Sequence, residues 1–129
     1  MIKVYVTKQS HYPISAPKIK KSLSEFFKKE GIVSDAQVSV AIVGEAKMKE
    51  LAKKYLKEKG VVHDVLSFTE SEVGKGFLYP ADDTIHLGEI ILCYPKIIEE
   101  AKEEGKRIDV KTQELVEHSA LHLLGKHHE

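Results

Sequence analysis

The sequence predicts an α/β fold, of the α+β kind, in which helices pack on a mixed four-stranded sheet. Three observations support this prediction. Short β-branched segments recur along the chain, segments with apolar residues at helical spacing stand between and after them, and turn or capping residues separate the two kinds. The resulting order, β-α-β-α-β-β-α-α, is typical of a sheet with helices packed on it.

The first half of the chain alternates strands with helices. Residues 2–6 alternate apolar with polar or aromatic side chains, as a half-buried strand does. The serine and proline within 15–17 signal the start of a helix that Gly31 ends. Residues 37–43 are β-branched with period two and form the second strand. The next helix stops before Gly60, and its apolar stripe consists of Met48, Leu51, Ala52 and Tyr55.

The second half begins with a short strand and a long connection. Val65 to Phe68 form the third strand, and a loop from about Thr69 to Thr84 follows. A loop of this length in a small protein is often functional. Ile85 to Leu92 form a fourth strand that is apolar enough to lie centrally. A helix over 95–105 starts with proline and closes with glycine, and a last helix, capped by Asp109, reaches Leu124.

Length and composition indicate one soluble globular domain over residues 1–129, with 42% hydrophobic and 31% charged residues. No apolar run approaches the ~18 residues of a membrane span, and the first residues lack a signal-peptide pattern, so we expect a cytoplasmic protein without a membrane partner. Twenty basic residues balance twenty acidic ones, so any nucleic-acid contact needs a local patch. Cys93 is the single cysteine, which excludes an internal disulfide and a thiolate metal cluster.

Four of the seven histidines fall in the last twelve residues. His118 and His122 are four residues apart, so a helix places both on one face. We expect Gly125 to adopt a positive φ and to turn the chain back, which would bring His128 to the same centre. Three imidazoles with one open position are typical of a catalytic zinc site. The simpler alternative is a solvated helix end whose histidines complement the helix dipole.

The residue after the first histidine of the pair limits the chemistry. Zinc proteases have glutamate there as the general base, whereas this chain has Ser119. A serine hydroxyl has too high a pKa to deprotonate water, so peptide hydrolysis by the usual route is disfavoured.

Residues 118–128, His-Ser-Ala-Leu-His-Leu-Leu-Gly-Lys-His-His, resemble the H-G-x-L-H-L-x-G-Y-D-H signature of the YbeY family, metal-dependent endoribonucleases of bacterial rRNA maturation. Asp64–Phe68 is similar to that family's T-D-V-L-S-F strand, and Leu87–Cys93 to its L-G-D-I-x-I-C strand. The resemblance implies an α/β sandwich and one metal ion, zinc, held by His118, His122 and His128. It also implies single-stranded RNA or rRNA as substrate, with the small ribosomal subunit or its proteins as candidate partners.

The chain departs from the family pattern at positions that matter for catalysis. The family's arginine before the T-D-V strand, thought to engage substrate phosphate, is Leu56 here, and its threonine is His63. Lysines near this position could replace the positive charge, and the candidates are Lys53, Lys54, Lys57 and Lys59. We therefore take Lys57 and His63 as candidate catalytic residues, His63 as proton shuttle or phosphate contact. His127 replaces the aspartate before the last ligand and is an alternative ligand to His128.

Three other functions remain open at this stage. The chain could be an assembly factor that binds RNA or the ribosome without cleaving, a metal-dependent hydrolase of another substrate, or a protein with a closed structural metal site. Glu89 lies among apolar neighbours in a strand, so we expect it to hydrogen-bond a ligand histidine or the backbone.

Overall fold

Four strands and four helices make up the described part of this computed structural model, which comprises residues 1–69 and 84–125. In chain order they are β1 (Ile2–Lys8), α1 (Ala16–Lys29), β2 (Ala36–Val43), α2 (Glu45–Leu56), β3 (Val65–Phe68), β4 (Ile85–Cys93), α3 (Tyr94–Glu104) and α4 (Ile108–Gly125). Their type and order confirm the predicted fold class. Most of the predicted loop between β3 and β4 lies outside the described residues. Within them, no helix combines the length and the apolar character that crossing a membrane requires.

The sheet is mixed, with the strand order β1-β2-β4-β3. β1 pairs with β2 and β2 with β4 in parallel, whereas β3 runs antiparallel to β4. The parallel pairs have helices in their connections, as parallel strands need crossover connections. The fourth predicted strand is therefore central, as its apolar sequence indicates, and β3 lies next to it.

Helix ends follow the sequence signals except on α4. The Ser15 hydroxyl caps α1 by accepting a hydrogen bond from the Lys18 amide at 3.2 Å, and Gly105 ends α3 with φ 66°. α2 ends at Leu56, before Gly60 as predicted, and Lys57 directly after it adopts the left-handed conformation with φ 57°. The prediction that Asp109 caps α4 is wrong: the helix begins at Ile108, and the Asp109 carboxylate accepts from the Val110 amide at 2.9 Å. An acid in the first turn still complements the helix dipole.

Two apolar clusters hold the helices on opposite faces of the sheet. The larger one packs α1, α3 and α4 against one face, and its fully buried members include Leu23, Phe27, Val38, Ile90, Ile97 and Leu123. The smaller one packs α2 against the other face, with Met48, Ala52, Phe68, Ile91 and Cys93 as members. One helix of the described residues therefore covers the second face.

Gly88 controls how closely α4 approaches the sheet. The β2–β4 register shifts there, because Gln37 pairs with His86 whereas Val38 pairs with Gly88. Gly88 has φ +141°, and a Cβ at this position would fall on the Phe68 carbonyl oxygen and lie 2.8 Å from Leu123 Cδ2. Glycine is therefore required where β4, the end of β3 and the histidine-bearing helix meet.

Candidate metal centre and its surroundings

His118 and His122 lie one turn apart on α4, and both side chains are exposed. The helix buries its other flank against the sheet, through Leu115, Val116, Ala120, Leu123 and Leu124. Because residues i and i+4 of a helix share a face, the two imidazoles stand side by side on the flank that the core leaves open. Two adjacent nitrogen donors that water can reach fit a metal ion that exchanges with solvent.

The third predicted ligand, His128, and its alternative, His127, lie outside the described residues. Within the described residues, no group of three histidine, cysteine or carboxylate side chains could hold a metal ion. The expectation that Gly125 turns the chain is wrong, since Gly125 is the last residue of α4 and is not among the glycines with positive φ. Any turn that brings His128 towards His118 and His122 must follow residue 125.

Ser119 is buried, whereas His118 and His122 are exposed. Its side chain is 1% exposed, and its hydroxyl has no hydrogen-bond partner. A buried hydroxyl without a partner loses its hydrogen bonds to water and forms none within the protein, which destabilises the fold slightly. The residue that would be a general base in a zinc protease is therefore a buried serine that faces the core.

The strand register places the side chains of Ser67 and Glu89 on opposite faces of the sheet. Ser67 pairs with Ile90, whose side chain belongs to the cluster under α4, so Ser67 lies on the same face of the sheet as the histidine helix. Glu89 pairs with Phe68, which packs under α2. Alternation therefore directs Glu89 to the face opposite α4, and the expectation that it orients a ligand histidine is not supported. Burial raises the pKa of its carboxyl group.

A polar cluster near the first turns of α4 links this helix to β3 and α3. Lys111, two helical turns before His118, is 9% exposed, and its ammonium donates to the Glu104 carboxylate at 2.9 and 3.1 Å. This hydrogen bond raises the pKa of Lys111. Glu100 lies 3.7 Å from the same ammonium, and burial together with the neighbouring Asp64 carboxyl raises the pKa of Glu100. Asp64 immediately precedes β3, so these charges fix β3 relative to the histidine helix.

His63 is held by a carboxylate that the sequence did not single out. Its Nε2 lies 2.6 Å from Glu58 Oε1, and both side chains are about one-third exposed, at 31% and 34%. The pair bridges the connection between α2 and β3. His63 lies two residues before β3, whereas Leu123 of α4 meets the sheet at the other end of that strand, beside Phe68. The described geometry therefore brings His118 and His122 together but keeps His63 at a separate end of β3.

Leu56 and Lys57 form the exposed end of α2. Leu56 is 44% exposed, and Lys57 is exposed beside it. The other lysines of this region, Lys53, Lys54 and Lys59, are exposed as well. Lys54 lies over the Tyr55 ring at 5.1 Å, and that ring packs on Phe68 at 5.0 Å. The end of α2 thus carries positive charge up to the final residue of β3.

A cavity of about 340 Å³ opens between α1 and α4, on the other flank of α4 from the histidines. Its lining includes Ser15, Lys18, Asp109, Gln113 and Val116, and Lys18 lies 3.8 Å from the Asp109 carboxylate. Among the residues that the structure describes, none of those predicted to be catalytic or metal-binding is part of this lining. The cavity therefore belongs to the helix packing rather than to the candidate metal centre.

Comparison with known proteins assigns the chain to a family. The family model described as Endoribonuclease YbeY matches residues 5–129. A protein of Macrococcus caseolyticus named Endoribonuclease YbeY is 35% identical over 112 residues, which are 87% of this chain and 71% of that protein. One of the same name from Dehalococcoides mccartyi is 34% identical over 124 residues, 90% of this chain and 77% of that protein.

A solved structure supports the fold. The solution structure of TM1509 from Thermotoga maritima superposes with a TM-score of 0.57 at 23% sequence identity, and the match covers 93% of this chain and 71% of that one. At this identity the likeness concerns the fold alone.

Proposed function

The chain belongs to the YbeY endoribonuclease family, and we propose that it is a zinc-dependent enzyme of rRNA maturation that cleaves single-stranded RNA in the cytoplasm. Members of this family are hydrolases that act on RNA and depend on a metal ion. The observation that carries the proposal is the pair His118 and His122, exposed side by side on the open flank of α4. The proposal treats residues 1–129 as one functional domain.

We assign His118, His122 and His128 to the metal ion. The donors fit zinc because neutral imidazole is a common zinc ligand and the two described histidines share one exposed helix face. When bound, zinc supplies Lewis-acid polarisation of the scissile phosphodiester and lowers the pKa of the attacking water. The chain itself keeps the ligands in place, since α4 is fixed to the sheet by Leu123 and to α3 by Lys111.

His63 and Lys57 are the proposed catalytic side chains. Glu58 holds Nε2 of His63 at 2.6 Å, which orients the ring and leaves Nδ1 to exchange a proton with the RNA or with water. Lys57 stands exposed at the end of α2, where its ammonium can neutralise charge on the phosphate. β3 separates His63 from the end of α4 beside Phe68. His63 and the metal ligands on α4 can therefore serve one reaction only if the RNA chain passes along β3.

The metal assignment is tested by elemental analysis of tag-free protein. We expect about one zinc per chain in the parent and a clear loss in His118→Ala, His122→Ala and His128→Ala. His11→Ala is the matched control, because His11 is an exposed histidine in another part of the chain. Parent protein that takes up no metal, even after reloading, would contradict the assignment.

The catalytic assignment is tested by cleavage of a single-stranded rRNA fragment. We expect the metal-loaded parent to cleave and His122→Ala to lose this activity. Lys57→Ala and His63→Ala should each lower kcat by about 10- to 1,000-fold, the range of one electrostatic or acid–base contribution. Lys20→Ala, an exposed lysine on α1, is the control for charge removal. Unchanged cleavage in both Lys57→Ala and His63→Ala would exclude them from catalysis.

One observation favours a second candidate function, an assembly factor that binds RNA without cleaving it. Leu56 offers an exposed apolar side chain at the position where the family resemblance implies a phosphate-binding arginine. An apolar side chain cannot stabilise the charge that develops during phosphodiester cleavage. RNA binding by the parent that neither requires metal nor leads to cleavage would favour this candidate.

A further inference from the structure

The sheet face that α2 shares is only partly covered by the described helices. α2 packs on Phe68, Ile91 and Cys93, towards β3 and the end of β4. On β1, by contrast, the side chains of Lys3, Tyr5 and Thr7 are exposed, although each stands on a parallel strand pair. Parallel strands usually have both faces buried and apolar. Their polar composition here indicates a face that works in contact with water or with a polar ligand.

The strand register arranges this face in a row. Tyr5 pairs with Ser39, Ser39 with Glu89, and Glu89 with Phe68, so four side chains stand next to each other across the four strands. At about 4.8 Å per strand, the row spans roughly 14 Å. Tyr5 at one end is 47% exposed, which is high for an aromatic side chain in a strand. At the other end the Phe68 ring lies under Tyr55, with Lys54 above it.

The chemistry of this row matches single-stranded nucleic acid better than a protein partner. An exposed tyrosine ring on a flat sheet can stack on a base, and neighbouring hydroxyl and amide groups, here Ser39 and Gln37, can bond to base edges. A protein partner would need an apolar centre, which these side chains do not provide. Double-stranded RNA cannot use the tyrosine, because its bases are already stacked.

Two ammonium groups lie at the ends of this face, on either side of the Glu89 carboxyl group of the row. Lys3 stands beside Tyr5 on the exposed side of β1, two residues away, and Lys54 marks the far end of the row. Asp35, whose carboxylate feels the charge of Lys3, is already bound by the N-terminal ammonium at 2.8 Å. Lys3 is therefore available to a phosphate group.

We propose that the face formed by Lys3, Tyr5, Gln37 and Ser39 binds single-stranded RNA, with one base stacked on Tyr5, and that the strand continues past Tyr55 towards the end of β3. The inference rests on the proposed function, since it identifies where that substrate lies before it reaches the histidine helix. It assigns substrate binding to a surface on the opposite side of the sheet from α4.

The absence of tryptophan from the chain makes a direct test possible. Tyr5→Trp introduces the single indole of the protein, and stacking of a base on it quenches its fluorescence. Val110→Trp is the matched control, because Val110 is 45% exposed, close to the 47% of Tyr5, and lies on α4 behind the sheet. With EDTA present to stop cleavage, we expect an oligoadenylate to quench the Tyr5→Trp variant saturably and to leave the Val110→Trp variant unchanged.

Affinity gives a second measurement on the same RNA. By fluorescence anisotropy of labelled oligoadenylate, Tyr5→Ala should weaken binding at least about fivefold, and Tyr5→Phe should retain it, because stacking needs the ring and not the hydroxyl. Lys3→Ala should weaken binding and reduce its salt dependence, whereas Lys20→Ala, on α1, should do so less.

The outcomes separate this inference from the proposed function. If the parent cleaves RNA while Tyr5→Ala binds it as tightly as the parent and the Tyr5→Trp indole is not quenched, the inference is wrong and the enzyme assignment stands. If the parent neither binds nor cleaves RNA, both are wrong. If sedimentation shows a parent dimer that Tyr5→Ala dissociates, with RNA binding unaffected, the face contacts a second copy and the inference is again wrong.

Discussion

Replacing Gly88 by alanine should destabilise the protein more than the same replacement at the glycines whose surroundings are open. The φ of +141° is nearly restricted to glycine and costs a side-chain-bearing residue about 1–3 kcal/mol. The new methyl group would also collide with the Phe68 carbonyl oxygen and with Leu123 Cδ2, and such overpacking costs about 1–3 kcal/mol. Together we expect the free energy of unfolding to fall by roughly 3–5 kcal/mol, which corresponds to a Tm lower by roughly 10–20 °C.

Gly105→Ala separates the two contributions. Gly105 has φ +66° and no atom within 4 Å of the added Cβ, so this variant should lose only about 1 kcal/mol from the left-handed backbone. Urea unfolding of both variants against the parent measures the difference. If Gly88→Ala is no less stable than Gly105→Ala, the contact between β4 and the end of α4 is not as close as described. Because Leu123 must move to admit the methyl group, Gly88→Ala should also lower the zinc content.

Four further substitutions test the local physics of the site. Lys57→Gly should raise the free energy of unfolding by about 1 kcal/mol, since Lys57 has φ 57°, whereas Lys57→Ala should not; equal stability of the two would contradict this. Ser119→Ala should stabilise the protein by about 1 kcal/mol in urea unfolding by removing a buried hydroxyl without a partner, and a loss of stability would mean that the hydroxyl is bonded. Glu89→Gln should gain stability relative to the parent as pH rises above 4.5, because the raised pKa of Glu89 keeps the folded parent protonated while the unfolded chain ionises, so the parent loses stability until the folded carboxyl has also ionised; a pH-independent difference in Tm would refute the cause. Leu56→Arg should raise kcat/KM for RNA roughly 10- to 100-fold through a charged hydrogen bond to phosphate, and no gain would show that the RNA does not pass the end of α2.

The sequence was sufficient to predict the type and order of the described elements because their signals are local. The third strand lies at Val65–Phe68 as predicted, and the fourth extends one residue beyond its predicted end, to Cys93. Alternation and helix-start residues act within a few positions of the chain, so no knowledge of distant contacts is needed. Helix ends were harder, since Lys57 accepts a left-handed conformation that the sequence signals assign to glycine.

The way in which the sheet is covered could not be predicted from the same signals. Alternation indicates that Tyr5, Ser39 and Glu89 share a face only after the register between strands is known, and register is a long-range property. For this reason the expectation that Glu89 orients a ligand histidine is not supported by the register. Likewise, the close approach at Gly88 depends on Leu123, which lies 35 residues further along the chain.

The proposed RNA-binding sheet face and the end of α2 would act on different steps of the reaction, binding and cleavage. A sheet face that holds RNA through Tyr5 and Lys3 contributes equally to the bound substrate and to the transition state, so it lowers KM without raising kcat. Charge at the end of α2 acts where negative charge develops on the phosphate, and there the chain offers Leu56 and Lys57. A lysine ammonium binds phosphate as a point charge and lacks the fixed two-pronged geometry of arginine. A chain with an intact histidine pair, a polar sheet face and this helix end should therefore bind single-stranded RNA well and cleave it slowly, and its kcat, not its KM, should respond to Leu56→Arg.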